Sequence, residues 1–377
     1  MKDNNAPWIK NYGDVPFHLT YPTTTMAETV FDTADKNQTT KALSFMGKKT
    51  SFKLLKERIL KTAKALKAIG IQEDDVVTIV MPNVPQAVVC LYAINYVGAV
   101  ASMIHPLSAV GELETYLKET KSKVVITLDM FYKKLKEVNN TVPLDKIIIA
   151  TMPEALSLVM KAGYGLTTGR KVHKEILEKN AIKYKTFIKQ GLTYKGNIHA
   201  NKTKDDVAVI LFSGGTTGKT KGIKLSNLNF NALALQTAAM SHEKIQGSRM
   251  LAAMPVFHGF GLGVCIHTMM VAGGTSILVP KFNVKSYAKL LKREKPNFIA
   301  GVPTLFESLT RNPYMDKVDL SQLKGVFSGG DSLSIELKKK LDKFLKEHNC
   351  RVKVREGYGT TECVTASCLT PYDVEKE

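Results

Sequence analysis

Cysteine is scarce in this sequence, and its spacing argues against the usual cysteine-based sites. The 377 residues include five cysteines. None of them form a C-x-x-C pair, so a zinc site is poorly supported. An odd number of cysteines in a long chain is typical of reduced thiols and not of a disulfide scaffold. We therefore expect a cytoplasmic protein.

Long apolar runs are also lacking. The amino terminus reads MKDNNAPWIK and has no apolar core after its basic residue, so it does not resemble a signal peptide. No stretch of about 18 uncharged apolar residues predicts a membrane span. The nearest stretch, residues 84–104, contains proline, glycine and amide side chains, which favour a buried helix followed by a strand. We expect no transmembrane segment.

Acidic residues are few beside basic ones. The chain has 34 Asp and Glu against 53 Lys and Arg, for a net charge of +19. A basic surface favours anionic partners such as nucleotides, CoA, nucleic acid or anionic lipid. The lysines are dispersed along the chain, which is a weak indication of a nucleic-acid face. We therefore expect no nucleic-acid partner, and nothing in the sequence indicates an oligomeric state.

The apolar periodicity predicts an α/β fold. Residues 52–69 place apolar side chains three and four positions apart, with Ser51 as a cap and Gly70 as a stop, which predicts an amphipathic helix. Further along, short β-branched runs alternate with helical patterns, as in parallel βαβ units. The predicted strands are Val76–Val80, Ala99–Ile104, Lys123–Thr127, Lys146–Ala150, Val207–Phe212, Arg249–Met254, Ser276–Val279, Phe298–Gly301, Gly325–Ser328 and Val352–Arg355.

These elements predict two successive α/β subdomains with parallel or mixed sheets and helices on both faces. Residues 1–204 are expected to form the first, with an insertion of surface helices near 151–204, where periodicity is weak. Residues 205–362 are expected to form the second, and residues 363–377 the start of a β-rich subdomain.

A segment rich in glycine and threonine follows the predicted strand Val207–Phe212. It reads SGGTTGKTKG from Ser213 to Gly222. Glycines let backbone amides approach phosphate oxygens, hydroxyls add hydrogen-bond donors, and lysine adds a mobile positive charge. The segment predicts a polyphosphate site. A Walker loop is disfavoured, because position 213 is serine where that motif requires glycine.

This segment resembles the phosphate loop of the adenylate-forming superfamily, which includes acyl-CoA synthetases, luciferase-like enzymes and peptide-synthetase adenylation domains. Thr220 stands where the superfamily usually has proline, and Gly215 replaces a hydroxyl residue. Three further segments resemble superfamily motifs in the same order: Met254-Pro255-Val256-Phe257-His258-Gly259-Phe260-Gly261, Ser328-Gly329-Gly330-Asp331-Ser332-Leu333 and Gly357-Tyr358-Gly359-Thr360-Thr361-Glu362. Each lies at a predicted strand-to-loop junction, and the resemblance covers nearly the whole chain.

The resemblance implies roles for particular residues. Tyr358 would stack on adenine, Thr361 would bind the α-phosphate, and Glu362 with Thr217 would bind Mg²⁺. Lys221, His258, Thr361 and Glu362 are the implied catalytic residues. The implied nucleotide-binding residues are Ser213, Gly214, Gly215, Thr216, Thr217, Gly218, Lys221, Gly330, Asp331, Ser332, Tyr358, Gly359, Thr360 and Thr361.

The resemblance also implies the reaction. A carboxylate attacks the α-phosphorus of ATP and forms an acyl-adenylate, and CoA then displaces AMP. His258 stands where amino-acid-activating domains have aspartate, which favours a simple carboxylic acid, with a fatty acid expected and an aryl acid as the alternative. Phe257, His258, Gly261, Gly301 and Val302 are the implied acid-binding residues. The small, apolar Gly261, Gly263, Gly301 and Val302 are expected to leave room for an aliphatic chain.

The superfamily continues beyond the tyrosine motif with an aspartate that binds ribose and a small mobile domain that supplies a lysine. Because this chain ends at Glu377, we expect it to be the amino-terminal portion, with the small domain absent and with weak or no activity alone. A non-catalytic module that binds nucleotide and acyl groups is the alternative. Acid-dependent ATP–pyrophosphate exchange distinguishes the two.

Overall fold

A computed structural model describes residues 6–166, 178–214 and 220–372 of the chain. Within these ranges the protein consists of two β-sheets flanked by helices, which confirms the predicted α/β class. The strands are β1 (Lys41–Phe45), β2 (Lys48–Ser51), β3 (Val76–Val80), β4 (Val100–Ile104), β5 (Val124–Leu128), β6 (Lys146–Ala150), β7 (Ala181–Lys183), β8 (Val207–Ser213), β9 (Lys221–Ser226), β10 (Arg249–Ala252), β11 (Thr275–Leu278), β12 (Phe298–Gly301), β13 (Gly325–Gly329), β14 (Val354–Tyr358) and β15 (Cys368–Leu369).

The helices lie mostly in the crossovers between parallel strands. They are α1 (Met26–Lys36), α2 (Phe52–Ala68), α3 (Pro85–Tyr96), α4 (Val110–Thr120), α5 (Tyr132–Asn139), α6 (Met152–Ala155), α7 (Leu158–Leu166), α8 (Tyr184–Gly191), α9 (Asn227–Met240), α10 (Thr268–Val271), α11 (Val284–Glu294), α12 (Pro303–Thr310) and α13 (Ile335–Glu347). No helix in the described ranges is both long enough and apolar enough to cross a membrane.

The first sheet has seven strands in the order β7-β6-β5-β3-β4-β8-β9. All neighbouring pairs are parallel except β8 and β9, which form an antiparallel hairpin. Strands β4 and β5 are buried along their whole length, because helices cover both faces of a parallel sheet. Because both faces of these strands are buried, their sequences are continuous apolar runs, which is the pattern that predicted them.

The second sheet has eight strands in the order β15-β14-β13-β12-β10-β11-β1-β2. Its centre is parallel, and an antiparallel strand closes each edge. Strands β1 and β2 come from the beginning of the chain, while β8 and β9 of the first sheet follow residue 204. Each sheet therefore combines strands from both sides of residue 204. The predicted division into subdomains at residues 204 and 205 stays a prediction.

Residues 151–204 are partly integrated into the first α/β layer. We predicted only surface helices here, but β7 pairs in parallel with β6 at the edge of the sheet. Helix α8 packs on α2, with Phe187 fully buried and Gly191 against the backbone of Ala65. A three-residue edge strand has too little periodicity to be recognised from sequence. Residues 167–177 of this segment lie outside the described ranges.

The helix predicted after Ser51 is confirmed as α2. The Ser51 hydroxyl accepts a hydrogen bond from the Leu54 amide at 3.3 Å, and Gly70 follows the helix with a φ of +95°, a conformation that favours glycine. The apolar segment after Gly259 is not α-helical throughout. Its first part, Phe260–His267, is a π-helix, a form often found at functional sites.

A buried polar chain ties this π-helix to its neighbours. The His267 Nε2–H donates to the Asn231 side-chain oxygen at 3.0 Å, and the Tyr92 hydroxyl donates to His267 Nδ1, also at 3.0 Å. The Asn231 amide in turn donates to the Thr24 carbonyl oxygen. Burial lowers the pKa of His267 from 6.5 to about 3, because the cation would lose its hydration.

Acidification is expected to destabilise the fold through His267. Because the folded-state pKa lies below the unfolded value, the unfolded chain binds more protons between pH 6.5 and pH 3. The contribution of neutral His267 to the free energy of unfolding is fully present above pH 6.5. It is lost as the pH falls, by about 2 kcal/mol at pH 5. Urea unfolding at pH 7 and pH 5 measures this loss. A His267→Gln variant should lose about 2 kcal/mol less between these pH values, and equal losses would contradict the assignment.

Candidate functional site

The motif segments of the second sheet meet at one edge. Strands β10, β12, β13 and β14 are parallel, so the loops after their carboxyl ends are neighbours. The register places Gly301 beside Ser328 and Gly329 beside Gly357. Ligands of open α/β sheets bind outside the carboxyl ends of the strands, and this edge is therefore the candidate site. The segments gathered there are residues 254–261, 301–302, 329–332 and 358–362.

The wall of the site between β12 and β13 is tightly packed. A Cβ atom at Gly330, whose φ is +81°, would lie 3.3 Å from Val302 Cγ1. A Cβ atom at Gly329 would lie 3.5 Å from the ring of Phe260. The segment predicted to line adenine is thus in contact with both segments predicted to line the acid. Asp331 and Ser332 are exposed beside it.

Glu356 holds this wall in place and was missed in the sequence. Its carboxylate accepts a hydrogen bond from the Leu333 amide at 3.0 Å, although the two residues are 23 positions apart. The contact crosses from β14 to the loop after β13. No local pattern indicates such a contact, because it depends on the pairing of the two strands.

The tyrosine motif forms a tight turn after β14. Tyr358 is 68% exposed, and the Ser367 amide donates to its carbonyl oxygen. Residues Thr361–Cys363 form a single 3₁₀ turn. Val364 ends it with a φ of +67°, which is strained for a β-branched residue. Such strain is characteristic of functional sites, and here it accompanies a fully packed Val364 side chain.

Glycines allow the tyrosine turn to dock on the acid-site segment. A Cβ atom at Gly259 would overlap the Val364 carbonyl oxygen, and one at Gly261 would overlap the Pro255 carbonyl oxygen. At Gly263 it would overlap the side chain of Leu233. We expected these small residues to leave room for an acyl chain. Protein atoms lie where Cβ atoms at 261 and 263 would stand, so these two glycines permit close packing. Their part in holding an acyl chain stays a prediction.

The β8–β9 hairpin carries the predicted phosphate loop. Ser213 pairs with Lys221 across it, and the Thr361–Cys363 turn contacts both strands. Residues 215–219, which include the predicted Gly215, Thr216, Thr217 and Gly218, lie outside the described ranges. The fold therefore brings Lys221 and the tyrosine turn together from positions about 140 residues apart in the chain.

The charged groups here are free to meet a ligand. Lys221 and Glu362 are exposed, and neither forms an ion pair with another described residue. No cluster of three or more His, Cys, Asp or Glu residues that could hold a metal is present in the described ranges. Mg²⁺ often takes only one or two carboxylates together with substrate phosphates. A single exposed Glu362, on a turn that contacts the β8–β9 hairpin, fits that requirement.

Asn83 joins the two sheets at the site. Its side-chain amide donates to the carbonyl oxygens of Ala252 and Met254 at 2.9 and 2.8 Å, and its oxygen accepts from the Val256 amide at 2.7 Å. Asn83 follows β3 of the first sheet and is buried. It thereby positions the segment that leads to Phe257. The sequence analysis did not single it out.

Two histidine rings lie close to Phe257. The ring of His105, from the loop after β4, meets the ring of Phe257 edge-on with centroids 4.4 Å apart, and the His258 ring centroid lies 5.0 Å from that of Phe257. The pKa of His258 lies below its usual value, first because of desolvation and then because of the nearby His105. Although part of its ring is open to solvent, the surrounding protein favours the neutral form. His105 was not predicted.

The fold and this edge define an α/β protein whose ligand site lies outside the carboxyl ends of parallel strands. The model of the AMP-binding enzyme family matches residues 30–377. The chain therefore belongs to the AMP-binding enzyme family, and the resemblance stated from the motifs is confirmed.

Relatives and solved structures are consistent with this assignment. The chain is 31% identical to the long-chain-fatty-acid–CoA ligase of Bacillus subtilis over 95% of its own length and 64% of that protein. It is 27% identical to a probable 4-coumarate–CoA ligase of Dictyostelium discoideum, over 87% of this chain and 58% of the other. The fold matches a long-chain-fatty-acid-CoA ligase from Archaeoglobus fulgidus with a TM-score of 0.78 and 22% identity, over 94% of this chain and 67% of the other. The chain thus spans less than two thirds of these two sequence relatives.

Proposed function

We propose that this chain is the nucleotide- and acid-binding part of an ATP-dependent carboxylic acid–CoA ligase, with a fatty acid as the substrate. One observation carries the proposal: the tyrosine turn touches the β8–β9 hairpin and, through Val364, also Gly259, the residue that follows His258. A nucleotide lying along this turn would bring its phosphates to Lys221 and its α-phosphorus toward the acid. Membership of the AMP-binding enzyme family supports the same assignment.

In the proposed first step, an oxygen of the acid's carboxylate bonds to the α-phosphorus of ATP. The bond to the bridging oxygen breaks, and pyrophosphate leaves with its electron pair. Both reactants are anions, so the site must offset their charge. Lys221 and the amides and hydroxyls around Ser213 do so from the hairpin, and Thr361 from the tyrosine turn. Mg²⁺ held by Glu362 would neutralise further phosphate charge.

Tyr358 and the Gly330–Ser332 loop serve binding in this proposal. The exposed Tyr358 ring offers a flat face for adenine, and the loop closes the other side. The second step transfers the acyl group to the CoA thiolate, and AMP leaves. Holding both substrates in line accounts for much of the acceleration that such a site can provide.

The nature of the acid is proposed from the residues around Phe257. A histidine at position 258 cannot supply the negative charge that would hold an amino group, and its lowered pKa favours the neutral form, so a plain carboxylic acid is favoured. The Bacillus relative is named for long-chain fatty acids and supports an aliphatic chain. The Dictyostelium relative is named for 4-coumarate and supports an aryl acid as the second candidate.

A ligand series tests the function and the acid together. The thermal stability of the chain is measured with non-hydrolysable acyl-adenylate analogues of increasing chain length and with an aryl analogue. A ligand at a hundred times its dissociation constant stabilises the fold by about 2.7 kcal/mol, a shift of a few degrees. A maximum at one aliphatic length is expected. A maximum with the aryl analogue would support the second candidate, and no shift with any analogue would contradict the proposal.

Lys221→Ala is expected to weaken ATP binding about tenfold, as loss of a charge-assisted hydrogen bond would. AMP binding should change little, because the proposed partners of Lys221 are the outer phosphates. Isothermal titration calorimetry with both nucleotides measures the difference. Lys224→Ala, an exposed lysine on the same strand, is the matched control and should bind both normally. Equal losses of ATP and AMP in the Lys221 variant would make its role structural.

A further inference from the structure

We propose that His105 is a further substrate-binding residue, whose Nε2–H donates a hydrogen bond to an anionic oxygen at the junction of the acid site and the phosphate loop. This inference rests on the proposed function. The oxygen belongs to the acid's carboxylate or to the α-phosphate, which become joined in the adenylate.

The position of His105 follows from the strand register. In the parallel pair β4–β8, Met103 lies beside Leu211. His105 comes two residues after Met103, and Ser213 comes two residues after Leu211. The two residues therefore lie at the same height along the paired strands, at their carboxyl ends. The loop after β4 therefore lies beside the carboxyl end of β8 at Ser213. Helix α4, which follows this loop, also packs on the hairpin through the stacked rings of Tyr116 and Phe212 at 4.0 Å.

The other side of His105 faces the acid site. Its ring contacts Phe257 edge-on at 4.4 Å, and Phe257 is buried next to His258. His105 belongs to the first sheet, while Phe257 and His258 follow β10 of the second. The imidazole thus stands where the loops of the two sheets meet, between the residues proposed for the phosphates and those proposed for the acid.

The hydrogen bonds of the loop determine which ring nitrogen carries the proton. The Leu107 amide donates to His105 Nδ1 at 2.8 Å, so Nδ1 is an acceptor and the proton of the neutral ring is on Nε2. No described residue accepts a hydrogen bond from Nε2, and the ring is exposed. The site therefore contains an oriented donor that has no hydrogen-bond partner among the described residues.

The loop that carries His105 is fixed before any ligand arrives. Lys134 on α5 donates to the carbonyl oxygens of Ser108 and Pro106 at 2.6 and 3.4 Å. The Ser108 amide closes the turn onto the His105 carbonyl oxygen at 3.1 Å. A preorganised donor loses little entropy when it binds an anion, which makes each hydrogen bond more effective.

The surroundings of the ring favour its neutral form. Desolvation is the largest effect that lowers the pKa of His105, Lys134 lowers it further, and Glu112 raises it. His258 is a further titratable neighbour, because His105 contributes to the lowered pKa of His258. A neutral imidazole held by its Nδ1 acceptor still donates through Nε2. His105 can therefore bind an anionic oxygen at neutral pH without taking up a proton.

Two variants separate the hydrogen bond from the packing. His105→Phe keeps an aromatic ring against Phe257 but removes the donor, and His105→Gln keeps an N–H group at a similar distance from the backbone. The dissociation constants of ATP, of the free acid and of a non-hydrolysable acyl-sulfamoyl-adenosine are measured by calorimetry, together with the melting temperature. The acyl chain is the length selected by the ligand series.

His105→Phe is expected to weaken binding of the acyl-sulfamoyl-adenosine about tenfold, with a melting temperature like that of the unmodified chain. His105→Gln should recover most of that affinity. If His105→Phe also weakens binding of the free acid, the carboxylate is the partner of His105. If it also weakens binding of ATP, the α-phosphate is the partner. Unchanged affinities in His105→Phe would overturn the inference but leave the proposed function intact. If the unmodified chain binds no probe at all, the proposed function fails, and the inference with it.

Discussion

Gly359→Ala is expected to weaken binding of the acyl-adenylate analogue by about a hundredfold or more. A Cβ atom at this position would overlap the carbonyl oxygen of Thr365. That oxygen belongs to the backbone of the turn itself, so the clash cannot be relieved by rotating a side chain. Tyr358 and Glu362 flank the clash and must move with the turn. Displacement of binding groups by about 1 Å is enough for losses of this size.

The neighbouring Gly357 provides a matched control for this prediction. A Cβ atom there would have its nearest neighbour, the Cys368 carbonyl oxygen, at 3.6 Å, which is an ordinary van der Waals distance. Gly357→Ala should therefore bind the analogue within about threefold of the unmodified chain. Calorimetry on both variants, with circular dichroism to confirm folding, makes the comparison. Normal binding by Gly359→Ala would mean that the turn does not shape the nucleotide site.

Asn83→Ala is expected to destabilise the fold by about 3–5 kcal/mol. The substitution leaves the Met254 carbonyl oxygen and the Val256 amide without their buried partner. The Ala252 carbonyl oxygen loses one of its two donors and keeps the Val279 amide at 3.1 Å. Each unsatisfied buried group costs about 1–3 kcal/mol. Because the segment leads to Phe257, affinity for the acid should fall as well.

Denaturant unfolding followed by circular dichroism measures the loss at Asn83. Asn201→Ala is the control, because Asn201 is exposed and makes no hydrogen bond to another described residue. It should change stability by less than about 0.5 kcal/mol. A similarly small change for Asn83→Ala would show that water replaces its contacts and that it does not join the two sheets.

Much of the site follows from sequence because its motifs are local. Glycines and hydroxyls after a strand are recognisable from composition and spacing, and parallel βαβ order brings strand ends to one edge without further information. The residues gathered after β10, β12, β13 and β14 illustrate this. The roles assigned to these residues stay predictions, and those at positions 215–219 lie outside the described ranges.

Other features of the site could not be predicted because they depend on which strands become neighbours. His105 looks like an ordinary loop residue until β4 pairs with β8 and its ring meets Phe257. Glu356 resembles a surface charge until β13 and β14 pair. In each case the contact joins residues far apart in the chain.

The sequence by itself determined the α/β class, the approximate positions of the central strands and the family, because each rests on short-range periodicity or on contiguous motifs. Tertiary structure alone decided which sheet each strand joins, with β1 and β2 in the second sheet and β8 and β9 in the first. It also decided the π-helical form of Phe260–His267 and the packing of Val364 on Gly259. These features depend on the packing of distant segments. The free energy of such packing is a property of the whole fold, and no single stretch of sequence contains it.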